Sequence, residues 1–183
     1  MFLIRMFDEI LESIYNRCSD WIVPTLARAV FTVILLNYYV GSAVTKFGDG
    51  ILGFLSPGAG AYVQIFPKAM EAVGYDHTQL SIFHTLIVYA GTYSEILLPI
   101  MIVVGLLTRL AALGMIGFVV VQSFVDITGH GVSGRDIGSW FDSDAGSLIM
   151  DQRTFWVFLF LVLVLKGGGR YALDRRVFGC REA

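Results

Sequence analysis

The stretch TYSEILLPIMIVVGLLTR, Thr92 to Arg109, holds one acid, Glu95, among residues that otherwise read as the middle of a bilayer-spanning helix. On insertion scales an acidic side chain at the centre of such a helix costs about 2.5–3.5 kcal/mol, so it must turn into the protein and be protonated or paired. A carboxyl held in that way can pass protons, bind a ligand or lock helices together, and Arg28, Lys46 or a tyrosine hydroxyl are its candidate partners. His84 precedes it by eleven residues, about 20° away on the same helical face, which makes Glu95 and His84 the candidate catalytic, proton-exchanging pair. Pro99 lacks an N–H and should leave the carbonyl of Glu95 without its helical partner, kinking the helix there. Tyr39, Tyr89 and their neighbours Tyr38 and Tyr93 also fall inside apolar runs. With Arg28, Lys46 and His130 they could build a pocket with a polar end and apolar walls, suited to a quinone or another flat amphipathic ligand. The same rings serve equally as core packing or membrane-belt anchors, and the two basic side chains could instead snorkel to headgroups.

The elements that must place these groups follow from hydropathy. The chain has 183 residues, a hydrophobic fraction of 56% and a mean hydropathy of +0.70, against roughly 45–50% apolar residues in a soluble domain. Charged residues bound four apolar runs, and a spanning helix needs about 20 such residues. The expected fold is all-α: one domain over 1–183, a polytopic membrane four-helix bundle with spans at about 24–47, 80–107, 110–126 and 153–173. The fourth run is short and reaches full length only if its helix continues through KGGGRYAL. Residues 1–20 read as an amphipathic interfacial helix, with Phe7, Leu11, Ile14 and Cys18 on one face and no signal-peptide pattern. In the glycine- and proline-punctuated segment after the first span, AYVQIFPKAMEAVG reads as a short helix on the outer surface. Asp174 follows Arg170 by four residues, the spacing of a weak exposed ion pair.

Four spans put both termini on one side with nine of the thirteen basic residues, Arg17 and Arg181 among them, so the positive-inside rule makes that side cytoplasmic. Nothing in the charge balance suggests nucleic-acid binding. Cys18 and Cys180 lie on the reducing side without a CxxC pair, and an iron–sulfur cluster would normally need four thiolates. Two histidines at a membrane interface more commonly hydrogen-bond than hold haem or a metal. DSDAG matches only the start of a calcium loop, with Gly146 at the fifth position and Arg153 at the twelfth. No metal site is expected.

Arg28 opening the first span, YYVGSAVTKF closing it, EILLPIMIVVGLLTRLAAL across the second hairpin, His130 just beyond and GGGRYALD near the end together resemble the DoxX family of small membrane proteins. The resemblance implies a four-helix bundle in the bacterial inner membrane and redox chemistry, either quinone reduction with electrons from thiosulfate or work with thiol and oxidative-stress systems. It carries over to Arg28, Lys46, Glu95, Arg109 and His130; Pro99, Arg109 and Asp174 are read as structural residues. The expected role is a membrane subunit of a quinone-linked sulfur or thiol oxidoreductase, dependent on a soluble or membrane redox partner and open to homo- or hetero-oligomer formation. The alternatives are a scaffold or assembly factor of a membrane complex and a small proton-coupled transporter.

Overall fold

The structure, a computed structural model, describes residues 2–50 and 52–179, the side chains of Phe2, Leu3 and Arg17 excepted. The readings attached to Cys180, Arg181 and the Arg17 side chain lie outside the described residues. The fold is all-helical: α1 (Phe2–Cys18), α2 (Ile22–Ile34), α3 (Leu36–Val44), α4 (Ala59–Ile65), α5 (Pro67–Ala72), α6 (Ile82–Val104), α7 (Thr108–Thr128), α8 (Arg153–Lys166) and α9 (Leu173–Val177). Among the described residues three segments are long and apolar enough to cross a membrane, α6, α7 and Leu148–Lys166. The pair α2 and α3, bent by 43°, supplies a fourth crossing if taken as one span. Outward-facing side chains such as Val33, Phe155 and Leu165 are more than 70% exposed, a surface that suits lipid and not water.

Two of the expected spans change shape. The first breaks at Leu35, where no proline stands; one turn earlier Thr32 Oγ1 donates to Arg28 O at 2.8 Å, a back-bonding habit that bends helices. The fourth does not run on through KGGGRYAL to residue 173. Its helix stops at Lys166, because Gly167 and Gly169 adopt positive φ, a conformation glycine reaches without steric cost. Length is gained at the other end, where a π-helical turn over Leu148–Gln152 leads into α8. By contrast α6 continues unbroken through Pro99, which is buried.

The central core is Phe31, Leu35, Tyr39, Ile102, Met115, Val119, Phe160 and Leu163, drawn from every candidate span. In lipid the hydrophobic effect does not drive helices together; dispersion and polar contacts do. Ala111 and Ala112 on α7 are fully buried and let backbones approach. The outer segment is two helices, not one, broken at Pro67, and it does more than lie on a surface. Ala61, Tyr62 and Met70 pack against Val88 of α6 as a second core. Ahead of α6, Asp76 accepts from Thr78 Oγ1, the Thr78 N–H and Gln79 Nε2, bonds that hold its carboxyl below the usual range. In α1 both the acidic residues and the apolar Ile4, Phe7, Ile10, Leu11 and Ile14 are exposed.

A polar lock closes the end of the bundle where α6 turns into α7. Arg28 Nε donates to Ile102 O and Nη1 to Gly168 O, each at 2.9 Å, and Nη2 to Val103 O. Two of these carbonyls, Ile102 O and Val103 O, lie in the last turn of α6, where a helix leaves carbonyls short of partners; Ile102 O also accepts from the Gly105 N–H. Gly105 takes φ +74°, and a Cβ there would lie 2.7 Å from Ala172, so only glycine fits. Leu107 is held at φ +47° while Asp174 accepts the N–H groups of Leu107 and Thr108 on its two carboxylate oxygens. The expected Asp174–Arg170 pair is therefore not formed: Asp174 caps α7 from a distance and Arg170 is exposed. Asp174→Ala should lower the stability of the detergent-solubilised protein by about 1–2 kcal/mol, read as a lower melting midpoint. Asp174→Asn, keeping one acceptor oxygen, should lose less.

Candidate functional site

Glu95 turns into the protein, 5% exposed, and its partner is Lys46, 4% exposed. Lys46 Nζ lies 2.8 Å from Oε2 and 3.1 Å from Oε1. Two further contacts complete the ammonium shell, Ser42 Oγ at 2.8 Å and Ser42 O at 3.2 Å. Ser42 and Lys46 stand one turn apart at the end of the first span, so one face of the chain presents both to α6. Ser42 Oγ in turn reaches Glu95 Oε1 at 3.4 Å. A lone charge at this depth would cost several kcal/mol. The pair with its added hydrogen bonds is what allows either residue to stay there.

Beside the pair is a cavity of about 410 Å³ between α3, α4, α6 and α7. Its α7 wall is Gly114, Gly117, Phe118, Val121, Gln122 and Val125, positions that recur at helical spacing. Gly117 opens onto the space, since a Cβ there would meet nothing within 4 Å, whereas Gly91 and Gly114 let Ile65 and Leu98 pack close. Ile87 and Val121, 50% and 58% exposed, form an apolar rim toward the lipid-facing surface. Polar groups close the far end. Asp126 lines the cavity and accepts from Arg153 Nη2, while Arg153 Nη1 donates to Ser123 Oγ at 2.9 Å. Gln122 Nε2 donates to Tyr38 Oη at 2.7 Å and leaves its Oε1 buried without a partner among the described residues. His130 Nε2 contacts Gln64 O at 2.8 Å, and both residues line the cavity.

The sequence-derived candidates separate into two sets. Glu95, Lys46 and His130 meet at the cavity. His84 does not: its Nδ1 is 2.8 Å from Ser81 Oγ and its ring packs on Phe66 at 4.7 Å, away from the cavity lining. His130 contacts Gln64 and His84 packs on Phe66, and no metal-holding group of three His, Cys, Asp or Glu occurs among the described residues. Arg28 belongs to the polar lock described above, not to Glu95. Tyr39 is fully buried between Phe31, Phe118 and Trp156, its hydroxyl unpartnered among the described residues. Tyr89 and Tyr93 point to the loop between α3 and α4, with Tyr93 Oη donating to Phe54 O at 2.9 Å and Tyr89 Oη 3.4 Å from Ser56 Oγ. Arg109 is exposed in the first turn of α7.

A family model described as DoxX matches residues 24–126. The chain belongs to the DoxX family. Within this DoxX protein the match takes in the Lys46–Glu95 pair, the α7 wall of the cavity and Asp126, and it stops short of Arg153 and Asp174. Comparison with curated proteins and with solved structures gives no match.

Sequence reasoning passed over Asp126, Arg153, Gln122 and Gln64 as site residues. Opposite charges at the facing ends of consecutive spans were a usable signal for the Asp126–Arg153 pair. Gln122, the one amide in the third apolar run, was another. Nothing local marked Gln64, whose place depends on how the outer segment folds back. Lys46→Met alone leaves Glu95 buried and uncompensated and should cost about 3–5 kcal/mol. The double variant Lys46→Met with Glu95→Leu should recover most of that loss, measured as melting midpoints in detergent; equal losses would count against a buried ion pair.

Proposed function

We propose that this DoxX-family membrane protein binds a lipid-soluble quinone in the cavity beside Lys46 and Glu95, as the membrane subunit of a quinone-linked sulfur or thiol oxidoreductase. One observation carries the reading: a cavity of about 410 Å³ joins a buried ion pair to an apolar rim at membrane level. Pockets of roughly 300–1,000 Å³ with apolar walls and a few convergent polar groups suit flat amphipathic ligands. A scaffold would need no such space. The quinone would supply the two-electron chemistry when bound. Around it Glu95 would hold and exchange a proton, Lys46 would keep that carboxylate in place, and Asp126 and His130 would lead protons toward the outer surface. With two cysteines the chain cannot build a four-thiolate cluster by itself. Electrons therefore come from a soluble or membrane partner or directly from a sulfur or thiol substrate.

In this reading the spans form a four-helix bundle in the bacterial inner membrane, with both termini in the cytoplasm and α1 lying at the interface. Support comes from the excess of basic residues on the side of the termini and from the uncovered apolar face of α1.

Purification in mild detergent followed by solvent extraction should yield quinone in near-stoichiometric amount. A Cβ at Gly117 meets nothing within 4 Å, so Gly117→Leu should grow into the cavity and abolish the bound quinone while retaining the wild-type melting midpoint. Glu95→Gln should also lose it. Unchanged quinone in both variants would overturn the proposal.

A further inference from the structure

We propose that the glycine turn after α8 is a binding site for the phosphodiester head of an anionic membrane lipid. The site is separate from the cavity beside Glu95, and the inference does not rest on the quinone reading. A pocket of about 280 Å³ opens at the end of the bundle where α2 begins and α8 stops, lined by Gly168, Gly169, Arg170 and Arg175 with Trp21 beside them. Gly167 and Gly169 hold φ at +75° and +73° and turn the chain out of the helix. The N–H groups of Gly168, Gly169, Arg170 and Tyr171 find no acceptor among the described residues. Successive backbone donors on a turn with a left-handed glycine are a common means of holding phosphate oxygens. Gly168 and Gly169 are buried, and buried donors without partners favour a ligand that brings acceptors.

The charges around the pocket point the same way. Both acids that line it are engaged: Asp174 accepts the N–H groups of Leu107 and Thr108, and Asp20 lies 3.3 Å from Lys166 Nζ. Arg170 and Arg175 are exposed and stand in no ion pair among the described residues. Two uncompensated guanidinium groups beside free backbone donors select a phosphate over a cation or a neutral head. The surroundings make that phosphate a lipid's. Val23 and Leu26 near the start of α2 and Leu165 near the end of α8 are exposed apolar side chains, so acyl chains can lie along the helices that bound the pocket. Trp21 meets Tyr171 edge-on at 6.4 Å, and aromatic rings of this kind mark the boundary between headgroups and hydrocarbon. Basic pockets between helices near the membrane surface hold anionic lipid heads in this way.

The test is native mass spectrometry of the delipidated full-length protein titrated with phosphatidylglycerol or phosphatidylcholine. Phosphatidylglycerol should bind at least about tenfold more tightly than phosphatidylcholine. Arg170→Gln combined with Arg175→Gln should weaken phosphatidylglycerol by about thirtyfold. Arg109→Gln combined with Arg176→Gln removes the same charge from exposed positions that do not line the pocket, and should change the affinity by no more than about threefold. All four side chains are exposed, so both double variants should keep the wild-type melting midpoint. Equal losses in the two double variants would reveal diffuse attraction to the basic face and overturn the site, as would phosphatidylcholine binding as tightly as phosphatidylglycerol. Inorganic phosphate at the same concentration should not displace the lipid. Displacement would assign the pocket to a soluble phosphate and overturn the lipid assignment.

Discussion

Two opposite charges that neither lipid nor an apolar core would accept singly set the terms for this protein. Lys46 and Glu95 lie 49 residues apart in sequence and 2.8 Å apart in space, and each is tolerable at bilayer depth because the other is there. The contact fixes the end of the first span against the middle of α6. It requires the first span to arrive at that depth with Ser42 and Lys46 facing inward, and the bend at Leu35 is part of the path that brings them.

The cavity follows from the same placement. Close packing next to a charged pair would bury polar atoms without room for a ligand or water to serve them. Here α7 carries glycine at 117, where a larger side chain would have filled the gap. The outer segment then folds over the top, contributing Gln64 and Ile65, and ties itself down through Tyr62 and Met70 against Val88. The result is a polar recess with an apolar rim, which connects packing to the proposed binding of an amphipathic ring.

At the opposite end Arg28 and Asp174 do structural work of another kind. Both bond backbone groups at helix ends, Arg28 the carbonyls closing α6 and Asp174 the N–H groups opening α7. Between these polar ends the bundle is held by dispersion among Phe31, Tyr39, Met115 and Phe160. Specific polar contacts at the two ends therefore set the relative depth of helices whose apolar middles could slide with little penalty.

What the sequence determined alone was local. Hydropathy placed the membrane-crossing segments within a few residues over α6 and α7, and the cost of an acid in lipid required Glu95 to look inward. Helical periodicity put Ser42 and Lys46 on one stripe. Relations between helices were left to the tertiary structure, because a period of 3.6 residues says which side chains share a face and nothing about which face meets it. Only the fold chose Lys46 over Arg28 as the partner of Glu95, sent His84 to Phe66, paired Asp126 with Arg153 and turned Asp174 into the cap of α7. Those outcomes depend on a bend at Leu35 and a glycine turn after Lys166, and so on depth and angle, which are properties of the assembled bundle and of no single segment.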